Sequence, residues 1–203
     1  MRSKAKKHLQ IEVPILLCII FLAYNFIQSA NFNDNLTKST MRTVKERIDS
    51  TAERVGYWNS VGSHEYNYYK SVLTIEVENI DSTPGVLGML LDENGDLLSR
   101  RFFGPKDSYG WDPLNDSSTK LNILYKNNGY LTMDYPNSKI EIYWKRIYTD
   151  KDKYFIMVGG VVKGVGFDII KDVIISSTIA TAGILTAIVP IITDSIKKMK
   201  KGG

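Results

Sequence analysis

Cysteine is all but missing: Cys18 is the only one in 203 residues. No internal disulfide can form, so whatever folds here does so without one. Histidine is nearly as scarce, with only His8 and His64. No Gly-x-Ser-x-Gly, His-Glu-x-x-His or glycine-rich phosphate loop occurs, which leaves Ser-His-Asp, zinc-hydrolase and P-loop chemistry without a foothold. His64 stands beside Glu65 and reads as half of a surface pair. The run Asp92-Glu93-Asn94-Gly95-Asp96 has a calcium-like composition, but it lacks a twelve-residue loop with a closing Glu and reads as a turn. No enzyme activity, cofactor or metal is expected.

Positive charge is also missing from where a nucleic-acid surface would need it. The chain carries a net +4, yet residues Gln28 to Gly166 hold 17 Lys and Arg against 18 Asp and Glu, a net of −1. The excess lies in the tails, at Arg2, Lys4, Lys6 and Lys7 and at Lys197, Lys198, Lys200 and Lys201. A basic face on a folded domain is not supported, so no nucleic-acid partner is expected.

What the chain does have is an apolar run near each end. Val173 to Ile192 holds 20 residues without a charge, and about 20 are needed for a helix to cross about 30 Å of hydrocarbon. Ser176, Ser177, Thr178, Thr181 and Thr186 lower its hydropathy, but their hydroxyls can bond back to the helix backbone or to a partner helix. Val13 to Ile27 is shorter and includes Asn25, and it reaches a spanning length when extended back to Leu9. A basic start with a short apolar core also fits a cleavable signal peptide, but Gln28-Ser29-Ala30 makes a poor cleavage site, which favours an uncleaved signal anchor.

Lysines on the outer side of both runs place both tails in the cytoplasm, by the positive-inside rule. The expected organisation is a cytoplasmic basic tail (1–8), a first transmembrane helix (9–28), an extracytoplasmic domain (29–166), a second transmembrane helix (167–193) and a cytoplasmic basic tail (194–203). The expected location is the plasma membrane, with the lipid bilayer as one partner. A central domain of about 140 residues is large enough to bury its own core.

Within that domain, Asn31 to Asn59 shows helical spacing at Phe32, Leu36, Val44, Ile48, Val55 and Trp58. A helix of about 28 residues would be about 42 Å long. It can pack on a core or form part of a homodimer seam together with the transmembrane helices. Val72 to Ile80 fits both strand and helix. Gly85 to Phe103 reads as strand, Asn94-Gly95 type I′ turn, strand. Gly104 to Ser118 is irregular, and Thr119 to Lys126 can form a helix with Leu121, Leu124 and Tyr125 inward. Strands are expected at Tyr130 to Tyr135, Lys139 to Tyr148 and Lys153 to Val162, with turns at Pro136-Asn137-Ser138 and Thr149 to Asp152.

The hairpin GVLGMLLDENGDLLSRRFF (Gly85 to Phe103) and the closing run NNGYLTMDYPNSKIEIYWKRIYTDKDKYFIMVGGVV (Asn127 to Val162) carry a resemblance to the extracellular single Cache family of PAS-like sensor domains. The resemblance implies an α+β fold, with a long N-terminal helix packed on a central antiparallel five-stranded sheet. It also implies a helix before the first hairpin, hence over Tyr69 to Ile80, and ligand sensing outside the cell. The implied pocket lies between the sheet and the loop and helix that cross it.

From the residues themselves, the wall candidates are Arg100, Arg101, Tyr125, Tyr130, Asp134, Tyr143, Trp144, Arg146 and Tyr148, with Trp111 in the covering loop. Aromatic walls with a few polar groups suit small molecules, and arginine forks suit a carboxylate-bearing metabolite. Strict alternation groups Arg101 with Leu97 and Phe103, and Arg100 with Leu98 and Phe102; Arg101 is taken as the one facing the pocket. The ordered Tyr, Arg, Trp and Asp set of amino-acid-binding relatives is not matched, because Arg54 and Trp58 have the wrong spacing.

Sensors of this kind usually carry a cytoplasmic output module after the second span, whereas Thr193 to Gly203 is eleven residues here. The expected function is therefore a membrane-anchored sensor that signals through a separate protein. The alternative is a non-sensing structural or interaction subunit of a membrane complex.

Overall fold

The computed structural model describes residues 2–62, 65–80, 85–102, 112–136, 138–150, 153–164, 175–184, 186–188 and 190, and the side chains of residues 2–15 and 18 lie outside that description. The chain divides into two compact units, Met1–Phe32 with Phe167–Gly203, and Asn33–Gly166. Among the described residues no helix is long and apolar enough to cross a membrane. Much of both expected spans falls on undescribed residues or side chains. Within the first unit residues 175–184 are helical. There the Thr181 hydroxyl donates to the Ser177 carbonyl at 2.8 Å, and the Thr186 hydroxyl donates to the Ala182 carbonyl, as hydroxyls do when they back-bond within a helix.

Helix α1 runs without interruption from Arg2 to Ser60. In the second unit its buried positions are Thr37, Thr40, Met41, Val44, Ile48, Thr51 and Val55, which from Met41 onward follow alternating steps of three and four that form one stripe. Val44, Ile48 and Val55 are the expected core positions; Phe32, at 55% exposure, and Leu36 are not part of the core. Helix α2 (Tyr66–Glu78) buries Tyr69, Leu73 and Val77. The helix implied by the resemblance is thus present where periodicity alone was undecided.

Five strands follow: β1 (Val86–Leu91), β2 (Leu97–Phe102), β3 (Asn128–Tyr135), β4 (Ser138–Tyr148) and β5 (Tyr154–Val162). They form one antiparallel sheet in the order β2-β1-β5-β4-β3. The fold is therefore α+β, with a long N-terminal helix and a five-stranded antiparallel sheet.

Alternation along the strands builds two cores. On one face Val86, Leu90, Ile147, Phe155, Met157 and Val161 pack with the buried stripes of α1 and α2. On the other, Leu87, Met89, Leu91, Ile142, Trp144, Ile156 and Val158 pack with Ile123 of α3 (Ser117–Tyr125) and with Leu114 of a single 3₁₀ turn (Pro113–Asn115). The buried stripe of α3 is Thr119 and Ile123, four residues apart. Leu121 and Tyr125, expected inward, are exposed, and Leu124 is half-buried. In a helix of only nine residues, the side that docks is set by how the Asp116 cap enters the helix.

The first hairpin turn also departs from expectation. Gly95 N–H donates to the Asp92 carbonyl at 3.0 Å, and Asp92 N–H donates to the Asp96 carbonyl at 3.0 Å. Gly95 is thus the last residue of a three-residue loop, at φ +83°, rather than the second central residue of a type I′ turn. The Asp92 carboxylate accepts from Asn94 and Asp96 N–H at 2.9 and 2.8 Å, which favours the longer loop. A register shift then follows between Leu90, opposite Ser99, and Leu91, opposite Leu97. Leu98 is left over, as in a β-bulge, and packs on the helix side.

Candidate functional site

The strand register decides where the arginines point. Arg101 lies opposite Gly88, Gly88 opposite Gly159, Gly159 opposite Tyr143, and Tyr143 opposite Tyr130. This row crosses the whole sheet on the helix-covered face. Arg100 begins the neighbouring row, Met89, Val158, Trp144 and Gly129, on the α3-covered face. Arg101, Tyr130 and Tyr143 are therefore separated by the sheet from Arg100, Trp144, Arg146 and Tyr148. Arg100 is thus the arginine on the α3 side, and Arg101, taken as the one facing the pocket, lies on the helix-covered face instead. Trp111 lies outside the described residues.

On the α3 side the aromatic and basic candidates hold the helix in place. Trp144, at 1% exposure, stacks its ring where Gly129 has no side chain and donates Nε1–H to the Lys126 carbonyl at 3.3 Å. The Arg146 guanidinium donates to the Leu124 carbonyl and, at 3.4 Å, to Asn127 Oδ1, and it sits 4.5 Å above the Tyr154 ring. The Tyr148 hydroxyl donates to Asn127 Oδ1 at 3.0 Å. A cation at the last carbonyls of a helix is favoured by their partial negative charge. Arg100 bridges Asp112 at 3.2 Å. Tyr125, at 77% exposure, contributes nothing to the interior.

Open space on this face lies at its rim. A groove of about 660 Å³ runs between β3 and the segment that carries α3, and Asp112, Asp116, Asn122, Thr132, Met133 and Asp134 are among its walls. That volume falls in the range of small-ligand sites. Asp112 accepts from Leu114 N–H at 2.8 Å and Asp116 from Thr119 N–H at 2.7 Å, so each carboxylate caps a helical turn and still has lone pairs to offer. Hydrogen bonds from Thr119 and Ser118 hold the Asp116 carboxyl below its ordinary range. Of the expected wall residues among those described, only Asp134 lines the groove. The others were missed, although Asp112-Pro113 and Asp116-Ser-Ser-Thr are readable as helix starts. No Lys or Arg among the described residues lines the groove. Among the described residues no three His, Cys, Asp or Glu side chains converge as metal ligands.

On the helix side, one charged cluster ties α1 to β4, and a second links β4 to β3 and to Lys163 after β5. Asp49 of α1 accepts from the Tyr143 hydroxyl at 2.8 Å and from Lys145 Nζ at 2.7 Å. Burial raises the Asp49 pKa, but the hydrogen bonds from Lys145 and Tyr143 and the charges of Lys145 and Lys45 outweigh it, and the carboxyl is held low. Burial and the bond to Asp49 push the Tyr143 hydroxyl up. Glu141 pairs with Lys163 at 2.6 Å and accepts from the Tyr130 hydroxyl. Burial raises the Glu141 pKa, but the hydrogen bonds from Lys163 and Tyr130 and the charge of Lys163 outweigh it, and the carboxyl is held low. A third link joins the helices, since Arg47 and Arg54 both bridge Glu76 of α2.

No protein-family profile and no curated protein sequence matches this chain.

Proposed function

We propose that this protein is a membrane-anchored sensor whose domain, Asn33–Gly166, binds a small ligand on the extracytoplasmic side. The ligand occupies the groove between β3 and α3. The role is one of binding rather than catalysis, and the domain resembles a single Cache module. The observation that carries the reading is the groove itself, about 660 Å³ with polar walls, on a sheet whose opposite face is latched to α1 through Asp49, Tyr143 and Lys145. Helix α1 contains both the first apolar run and the latch residue in one element, so a shift of the sheet can bias the helix. A ligand moves such an equilibrium only by its differential affinity for the two states. Flanking apolar runs bounded by lysines support the membrane anchor and the extracytoplasmic orientation, and a separate membrane protein reads the motion.

The test combines orientation with binding. Protease added to intact cells is expected to cut within Asn33–Gly166 and leave the tails protected. In nanodiscs, a metabolite and peptide panel is expected to contain compounds that raise the melting temperature of the wild-type chain but not of an Asp134→Lys variant. A domain protected from external protease, or a panel without a single stabilising compound, refutes the reading.

A further inference from the structure

We infer that the ligand is a short, extended, basic peptide that adds to β3 as a sixth strand; this rests on the groove being the ligand site. Arg146 N–H donates to the Asn127 carbonyl at 2.7 Å, which marks 127/146 as a hydrogen-bonded pair of the β3–β4 ladder. The register runs without a shift from Asn128/Lys145 to Tyr135/Ser138. In an antiparallel ladder such pairs recur at every second residue, so residues 129, 131, 133 and 135 face β4. Tyr130, Thr132 and Asp134 therefore turn their N–H and C=O groups outward. β3 is an edge strand of the sheet.

The groove lies along this edge. Its walls include Leu131 and Met133, whose side chains join the α3-side core, and also Thr132 and Asp134, which alternate to the other face. A space lined by four consecutive residues of one strand reaches the backbone between them. Natural edges are commonly blocked by Pro or Lys, and Asn128–Tyr135 contains neither. A peptide entering here gains main-chain hydrogen bonds from its own backbone, with side chains alternating between α3 and solvent.

Charge selects the occupant. Asp112, Asp116 and Asp134 line the groove, and among the described residues no Lys or Arg does. Arg100 bridges Asp112 from outside the lining, and Lys139 lies opposite Asp134 in register, while Asp116 has only hydroxyl and amide donors. A second copy of this chain would bring Asp134 against an equally acidic edge, which disfavours self-pairing.

The experiment uses the full chain in nanodiscs and the fluorescent hexapeptide Lys-Val-Lys-Val-Lys-Val, measured by anisotropy. The lysine peptide is expected to bind. Its glutamate counterpart, and a version N-methylated at alternate residues, are each expected to bind about five- to tenfold more weakly or worse, because each loses a charge complement or the ladder bonds. Thr132→Pro removes one outward N–H at a position where an edge strand tolerates proline, and it is expected to weaken the lysine peptide by a similar factor; circular dichroism confirms that the variant is folded. Asp134→Lys is the second variant and is expected to weaken binding without touching the backbone. Equal binding of the N-methylated peptide, or competition by spermidine as strong as by the peptide, overturns strand addition while leaving a ligand in the groove. Stabilisation by metabolites with no binding of the lysine peptide overturns the peptide and leaves the sensor standing.

Discussion

Gly88 and Gly159 stand directly opposite each other on the central strands β1 and β5, and both face the helices. A Cβ on Gly88 would lie 2.6 Å from Ile80 Cγ2 and 3.1 Å from the Val77 carbonyl oxygen. On Gly159 it would lie 2.4 Å from Val44 Cγ1 and 2.8 Å from Ile48 Cδ1. The glycine pair is a slot in the sheet into which both helices press.

Gly159→Ala is therefore expected to destabilise the chain by about 1–3 kcal/mol through overpacking. Adding Val44→Ala removes the side chain that clashes. The double variant is expected to be more stable than the two separate losses sum to, since contacting sites are non-additive. Chemical denaturation of the four proteins in the cycle measures this, and strict additivity would show that the slot is not under contact.

Trp144 and Gly129 form the matching relationship on the other face, where a Cβ on Gly129 would meet the Trp144 ring at 2.2 Å. Trp144→Ala is expected to cost about 3–5 kcal/mol. Gly129→Ala is expected to cost about 1–3 kcal/mol and to change the near-ultraviolet circular dichroism of the displaced indole. An unchanged spectrum together with unchanged stability would contradict the packing described.

Asp49 predicts a pH dependence. Its folded pKa lies below its unfolded value, so the stabilisation it gives is complete above the unfolded value of about 4 and is lost as pH falls through the folded one. Asp49→Asn is expected to lower stability by about 1 kcal/mol near pH 7, as the loss of a partly exposed charged hydrogen bond does. The difference from wild type should shrink as pH falls from the unfolded value through the lower folded one. Melting curves at neutral pH and in acid decide; a gap that persists in acid refutes the assignment.

Glu76 links the two helices through Arg47 at 3.1 Å and through Arg54. Glu76→Gln is expected to cost about 1 kcal/mol, and the cost should fall as salt is raised, because the arginines are partly exposed. A salt-independent loss would mean that packing, not charge, is what the substitution disturbs.

The sequence made the strands of the closing meander legible, because Ile140, Ile142 and Trp144 alternate with Glu141, Tyr143 and Lys145 along β4. Val44, Ile48 and Val55 marked the docking stripe of α1. What it left hidden depends on contacts distant in sequence. Leu98 slips out of the ladder because Asp92 draws two amides into a longer loop, and that slip parts Leu97 and Leu98 from the arginines that strict alternation groups them with. Arg101 donates to the Glu78 carbonyl and Arg146 to the Leu124 carbonyl. Backbone acceptors leave no trace in residue identity. The groove was missed because its walls come from two segments that approach only in the folded chain, and its carboxylates looked like ordinary loop residues.

Arg47 and Arg54 are seven residues apart on α1, two turns or about 10.5 Å along the axis, yet a single carboxylate engages both. Glu76 thus works as a pawl between two teeth. A slide of α1 by one turn, about 5.4 Å, would bring one arginine closer to the carboxylate only by drawing the other away, and a two-turn step would bring Arg47 to the place of Arg54. While both bridges hold, a slide of α1 past α2 is opposed in either direction.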